Sequence, residues 1–178
     1  MIKRNIIILP DILVSKRAIE LSGKLSTQYK TTFTLDGKQF YPHITLYQAE
    51  YLQESMIGLE QKLFHIAKSI SPFCVRATTF STFRGFLFLN IKKDNEVVSL
   101  QKSIISALGP LSKSLSPLAG DTFVPHITIT RLQYPDDAKR AVSILGRTEI
   151  SFEVHSLHVA DIGPDGTVNE LLKEIPFG

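Results

Sequence analysis

Two short phrases, Tyr41-Pro42-His43-Ile44-Thr45-Leu46 and Val124-Pro125-His126-Ile127-Thr128-Ile129, each set an imidazole and a hydroxyl two residues apart in a β-prone stretch. In a strand, residues i and i+2 point to one face, so His43 shares a face with Thr45, and His126 with Thr128. Ile44 and Leu46, like Ile127 and Ile129, alternate against the polar pair and mark the opposite face as core. Pro42 and Pro125 lack a backbone donor and suit the start or edge of a strand, which puts each histidine near a rim that substrate can reach. Made twice, this His/Thr face implies a site with two groups able to take or give a proton near neutral pH.

The rest of the chain must bring the two phrases together. At 178 residues it fits one domain over residues 1–178, built of two lobes and large enough for a sizeable core. The net charge of +3 permits a phosphate-bearing partner without a dense basic run that would demand one. The single cysteine, Cys74, excludes an intrachain disulfide and fits a reducing compartment. The apolar run after Lys3-Arg4 is too short for a signal peptide and stops at Pro10-Asp11. No segment is long enough to span a bilayer, so the expectation is a cytoplasmic protein with no membrane association.

Periodicity predicts a buried strand over Asn5–Leu9, then a helix from Val14 to about Tyr29 with Ser15 and Ser22 facing solvent. Asp36-Gly37 signals a turn before a first motif strand over Gln39–Tyr47. A second helix carries Leu52, Met56, Leu59, Leu63, Ile66 and Ala67 and ends near Ser71-Pro72. Phe73–Phe83 and Gly85–Ile91 read as an antiparallel pair joined across Arg84-Gly85. The second half repeats the plan. A helix opens at Asp94-Asn95 and runs to Leu108, and a loop containing Ser116-Pro117 and Gly120-Asp121 leads to the second motif strand. A helix with Pro135, Asp136 and Asp137 in its first turn then runs to about Leu145-Gly146. Glu149–Val159 and Thr167–Ile175 finish as strands around the Gly163-Pro164-Asp165-Gly166 turn. Strands and helices mix without strict alternation, so the expected class is α+β: two pseudo-symmetric lobes, each a mostly antiparallel sheet with helices outside, and an active-site cleft between them.

Two His-x-Thr-x motifs on strands of a small α+β domain resemble the 2H phosphoesterase superfamily, and within it the RNA 2',3'-cyclic phosphodiesterase (2',5'-RNA ligase-like) branch. The resemblance covers nearly the whole chain in element order and, in identity, the two motifs with a few neighbours. It implies that His43, Thr45, His126 and Thr128 match the catalytic set and that no metal or other cofactor is required. Arg131 falls where RNA phosphodiesterase relatives carry a phosphate-binding arginine. Strand parity sets Arg131 on the face opposite His126, so it serves only if the strand ends or bulges near Thr130.

The expected reaction opens a 2',3'-cyclic phosphate, or joins and cleaves a 2',5' linkage, with one histidine as base and the other as acid. The threonine hydroxyls hold the charged phosphate oxygens. The expected partners are RNA ends or nucleotides, with no obligate protein partner and a monomeric chain. The rival readings are a module that binds RNA ends or nucleotides without turnover, and an enzyme for another small cyclic or 2',5'-linked nucleotide. Residues rimming the cleft decide among these, with Tyr41, Tyr47, Arg84, Arg131 and Tyr134 as candidates. Neither motif carries a nearby Asp, Glu or Cys to complete a metal-ligand set. His65, His155 and His158 read as structural or exposed, and Cys74 as a core residue. Phe80, Phe83, Phe86 and Phe88 suit either core packing or a base-stacking surface, with core packing favoured.

Overall fold

The computed structural model describes residues 1–115 and 122–178; the expected loop through Ser116-Pro117 and Gly120-Asp121 lies outside the described residues. Its elements run β1 (Ile2–Ile8), α1 (Ile12–Gln28), β2 (Thr31–Thr34), β3 (Ile44–Tyr51), α2 (Met56–Lys68), β4 (Phe73–Phe83), β5 (Phe86–Ile91) and α3 (Asn95–Leu108). They continue through β6 (Ser112–Ser114), β7 (His126–Leu132), α4 (Pro135–Leu145), β8 (Arg147–Val154), β9 (Ser156–Ala160) and β10 (Leu171–Pro176). This is the α+β class that the sequence predicts. Among the described residues no helix is long and apolar enough to cross a membrane.

The strands form one sheet in the order β10-β9-β1-β3-β7-β5-β4-β8, and the described pairings are antiparallel. Read from either end, the order matches β1 with β5 and β3 with β7, so a pseudo-dyad passes between the two motif strands. Those strands are in ladder register at one pair, Ile44 opposite Ile127. Beyond it they part, because β6 takes the free edge of β3 through Ala49–Tyr51, and β2 takes the free edge of β7. The cleft is therefore a wedge opening from one shared point.

The halves are more interleaved than two consecutive lobes. The stretch read as one strand, Glu149–Val159, breaks at His155 into β8, which pairs with β4, and β9, which pairs with β1 on the far side. The first motif strand starts at Ile44 and not at Gln39, because the Asp36 carboxylate accepts the backbone N–H groups of Lys38, Gln39 and Phe40 and holds them in a turn.

The helices supply the core. Asp11 caps α1 by accepting from Val14 N (2.8 Å), and Val14, Ala18, Ser22 and Leu25 recur on its buried face. Ser22 is therefore a correction: it faces inward, wholly buried, and its Oγ accepts the Leu35 N–H at 3.0 Å. Helices α1 and α4 pack beside β7, while α2 and α3 pack together beside β3 and β10. One hydrophobic cluster takes in all four helices together with Ile44, Leu46, Leu87, Leu89, Ile127 and Ile129. The His/Thr residues point away from it. Cys74, read as core, is exposed.

Candidate active site

His43 and His126 are held by the same local device. In each copy the chain bends over the proline so that the histidine Nδ1 lies 2.7 Å from the carbonyl two residues back, Tyr41 O for His43 and Val124 O for His126. A carbonyl only accepts, so each Nδ1 carries a proton and each Nε2 is left to exchange one with a ligand. The Ile44–Ile127 pair lies between them, and its register sets His43 across from Thr128. These two residues line one small pocket together with Tyr41, Asp165, Gly166 and Thr167.

Burial governs the charge of both rings. His43 is 8 % exposed, and loss of hydration pulls its pKa down to about 4; the backbone hydrogen bonds to Tyr41 and Gly166 oppose this, and the neighbouring His126 adds to it. Burial also lowers the His126 pKa, against the pull of the Val124 carbonyl. Both imidazoles are neutral at pH 7 in the free protein. A bound anion would favour protonation of whichever ring faces it.

Both motif strands carry a bulge at the same point. In β3, Thr45 pairs with Ile7 and Tyr47 with Ile6, so Leu46 is an extra residue. In β7, Thr128 pairs with Phe88 and Thr130 with Leu87, so Ile129 is extra. Two consecutive residues then face the core in each strand: Leu46 and Tyr47, and Ile129 and Thr130. The Thr130 hydroxyl answers its burial by donating to Phe33 O at 2.7 Å.

The bulges decide which predicted residues reach the cleft. Arg131, which unbroken alternation would turn away, comes onto the face of His126 and Thr128. There its Nη1 meets Asp165 Oδ1 at 2.5 Å and its guanidinium lies 4.8 Å from the Phe86 ring. Tyr47 is a correction. The bulge at Leu46 turns it into the core, 7 % exposed, with its hydroxyl 2.9 Å from Ser112 Oγ, so it is not positioned to bind substrate. Tyr41 lines the His43 pocket, whereas Arg84 and Tyr134 are exposed, Arg84 lying over Phe83 at the hairpin tip.

Three groups at the site carry no signal in the motifs themselves. Gln48 occupies in β3 the position that Arg131 occupies in β7, and a methyl at Gly166 would come within 3.6 Å of its Nε2. Writing the repeat as His-x-Thr-x-x-Gln/Arg would have found it. Asn5, wholly buried, donates through Nδ2 to Thr45 Oγ1 (3.2 Å), which leaves the threonine proton free to turn into the cleft. Asp165 sits at φ 58° in the Pro164–Gly166 turn, where its carboxylate holds Arg131. The turn itself was read from the sequence, but its reach across to β7 was not.

The remaining histidines stand apart. His155 is exposed beside Glu153, and His158 is buried with its Nε2 3.0 Å from Ser156 Oγ. A larger hollow between α2 and β10 is lined by Phe64, exposed His65 and Lys173, away from the motif residues.

A paired His/Thr site at the pseudo-dyad of an antiparallel sheet is the architecture of the two-histidine phosphoesterases. The chain belongs to the 2'-5' RNA ligase superfamily, whose family model matches residues 31–166. A Bacillus licheniformis protein provisionally named a phosphoesterase is 22% identical over 170 residues, covering 90% of this chain and 92% of its own. Solved structures share the fold. TT0787 of Thermus thermophilus gives a TM-score of 0.72 at 16% identity, covering 99% of this chain and 98% of its own. LigT of E. coli, in complex with ATP, gives 0.60 at 17% identity, covering 98% and 97%. The MHV ns2 PDE domain gives 0.64 at 12% identity, covering 90% and 99%.

Proposed function

We propose that this protein is a phosphodiesterase that opens 2',3'-cyclic phosphate ends of RNA or nucleotides, using His43 and His126 as the proton-transfer pair. The observation that carries this reading is the matched tethering of the two rings: each Nδ1 is fixed on a carbonyl, which leaves the Nε2 edge of each ring to exchange a proton at the phosphate. One ring takes a proton from water as its oxygen bonds to phosphorus. The other, protonated in the complex, gives a proton to the ribose oxygen as the P–O bond breaks. Thr45 and Thr128 donate to the non-bridging oxygens, and Arg131 offers a fixed positive charge on the same face. With a 5'-hydroxyl in place of water, the same two transfers form a 2',5' linkage and release the 3'-oxygen. Membership of the superfamily and the net charge of +3 support a nucleotide or RNA substrate.

The test is a panel of 2',3'-cyclic mononucleotides, cyclic-phosphate-ended oligoribonucleotides and 2',5'-linked dimers, with products resolved by phosphorus NMR. The reading predicts turnover to a 2'-phosphate, the bond to the 3'-oxygen being the one broken. Tight binding of the whole panel without turnover would favour a binding module instead.

A further inference from the structure

The anion site carries a negative charge of its own. Of the described residues lining the pocket that His43 and Thr128 share, Asp165 is the one acid. Its Oδ1 lies 2.5 Å from Arg131 Nη1, with the two side chains 28 % and 37 % exposed. Arg131 stands on β7, whereas Asp165 belongs to the turn between β9 and β10, so the pair joins the two flanks of the cleft. The next residue of that turn, Gly166, makes a backbone hydrogen bond with the His43 ring. One turn thus touches a proton-transfer ring and the phosphate-facing arginine together.

The turn does not need the carboxylate to hold its shape. Gly163 N donates to Thr167 O at 2.7 Å, and Pro164 O accepts from Thr167 N at 3.1 Å and from Thr167 Oγ1 at 2.7 Å. These bonds leave the Asp165 side chain unused. Its left-handed backbone, φ 58°, would suit asparagine or glycine equally. What aspartate adds is charge. Arg131 and Asp165 cancel, and both imidazoles are neutral at pH 7 in the free protein, so the free site is close to neutral. Uptake of the one proton that the acid role requires brings it to a single positive charge. A 2',3'-cyclic phosphodiester, with one negative charge, balances that. The monoester formed from it has a second pKa of about 6 and carries nearly two charges at neutral pH, one too many.

We propose that Asp165 is a specificity-determining residue that selects phosphate by charge, admitting the singly charged diester and disfavouring the doubly charged monoester, so that product leaves the cleft. The proposal rests on the phosphodiesterase reading above and adds to it a device for product release. A phosphate oxygen bonded to the guanidinium that Asp165 holds lies within roughly 6 Å of the carboxylate, inside the screening length of physiological salt. Repulsion scales with the charge on the phosphate, so it acts about twice as strongly on the monoester as on the diester.

The test measures binding of 3'-deoxyadenosine 2'-monophosphate and of its methyl diester by calorimetry at about pH 7.5, where the first carries nearly two charges and the second one. Neither compound can cyclise. Asp165→Asn and Asp165→Gly both keep the left-handed turn without the charge. Each variant should gain affinity for the monoester by about fivefold or more beyond any gain for the diester. Inhibition by the monoester during turnover of adenosine 2',3'-cyclic phosphate should strengthen by a similar factor. A residue that only orients Arg131 would shift both compounds alike, so an unchanged monoester-to-diester ratio in either variant overturns the selector. That result alongside turnover of the cyclic phosphate leaves the phosphodiesterase reading standing. A shifted ratio without turnover in the wild type supports the selector and overturns that reading. Failure of the wild type and both variants to bind either compound overturns the selector.

Discussion

Arg131 and Tyr47 exchange the roles that simple alternation gives them, and the exchange can be tested residue by residue. Tyr47→Phe removes a hydroxyl bonded to Ser112 inside the core. It should cost about 1 kcal/mol of stability and leave kcat/KM within about twofold of wild type. Arg131→Ala should lower kcat/KM by about a hundredfold or more, since a charged donor on a developing phosphate charge is lost. Equal effects of the two variants on turnover would contradict the bulged register. The histidine environments also set a pH profile. With His43 pulled down to about 4 and His126 lowered by burial, the free enzyme holds one protonated and one neutral ring only below the usual histidine range. The acid limb of kcat/KM should therefore lie near pH 4 and the alkaline limb below pH 6.5, with the alkaline limb of kcat displaced upward by the bound phosphate. A kcat/KM that stays flat to pH 8 would contradict this.

Helices and long strands were legible because several constraints agree on each. The helix α4 runs from Pro135 to Leu145 as read, with proline and two aspartates in its first turn and Gly146 after its end. Strand β4 spans Phe73–Phe83 as read, with turn signals at both ends. Positions set by backbone register were not legible. The extra residues Leu46 and Ile129 are apolar like their neighbours, so nothing in their types announces a bulge. The break at His155 was hidden because an extended pattern continues through it while the chain moves to another part of the sheet. The β4–β5 hairpin presents the Phe86 and Phe88 rings, and its turn can be tested directly. Arg84 and Gly85 both have positive φ, 50° and 85°, the requirement of a type I′ turn. A methyl at Gly85 would come within 2.6 Å of the Leu132 carbonyl. Gly85→Ala should destabilise the protein by about 1–3 kcal/mol, whereas Arg84→Asn should stabilise it by about 0.5–1 kcal/mol, both read from urea unfolding. Tolerance of Gly85→Ala would show that the turn is not built this way.

Across the whole molecule, stability and catalysis meet in the histidine pair. The unfolded chain takes up a proton on His43 near pH 6.5, while the folded chain resists it until about pH 4. A depressed folded-state pKa means that the stability is fully present above pH 6.5 and is lost as pH falls towards 4, by up to about 3 kcal/mol. Urea unfolding across that window should show the loss, and His43→Gln should reduce it, leaving the smaller part that the lowering of His126 and His158 by burial contributes. A wild-type stability independent of pH there would contradict the buried, neutral ring. The pseudo-dyad explains why one site needs both halves of the chain: each contributes a strand with a tethered histidine, a threonine and a bulge, and the two strands pair at Ile44 and Ile127. The most direct test of the account is the turnover of a cyclic-phosphate-ended oligoribonucleotide by His43→Ala, His126→Ala and the double variant, with folding checked by circular dichroism. The account predicts a loss of about a hundredfold or more in each single variant, and a double variant little worse than either, since the two rings act as a unit. Near wild-type turnover in either single variant would contradict it.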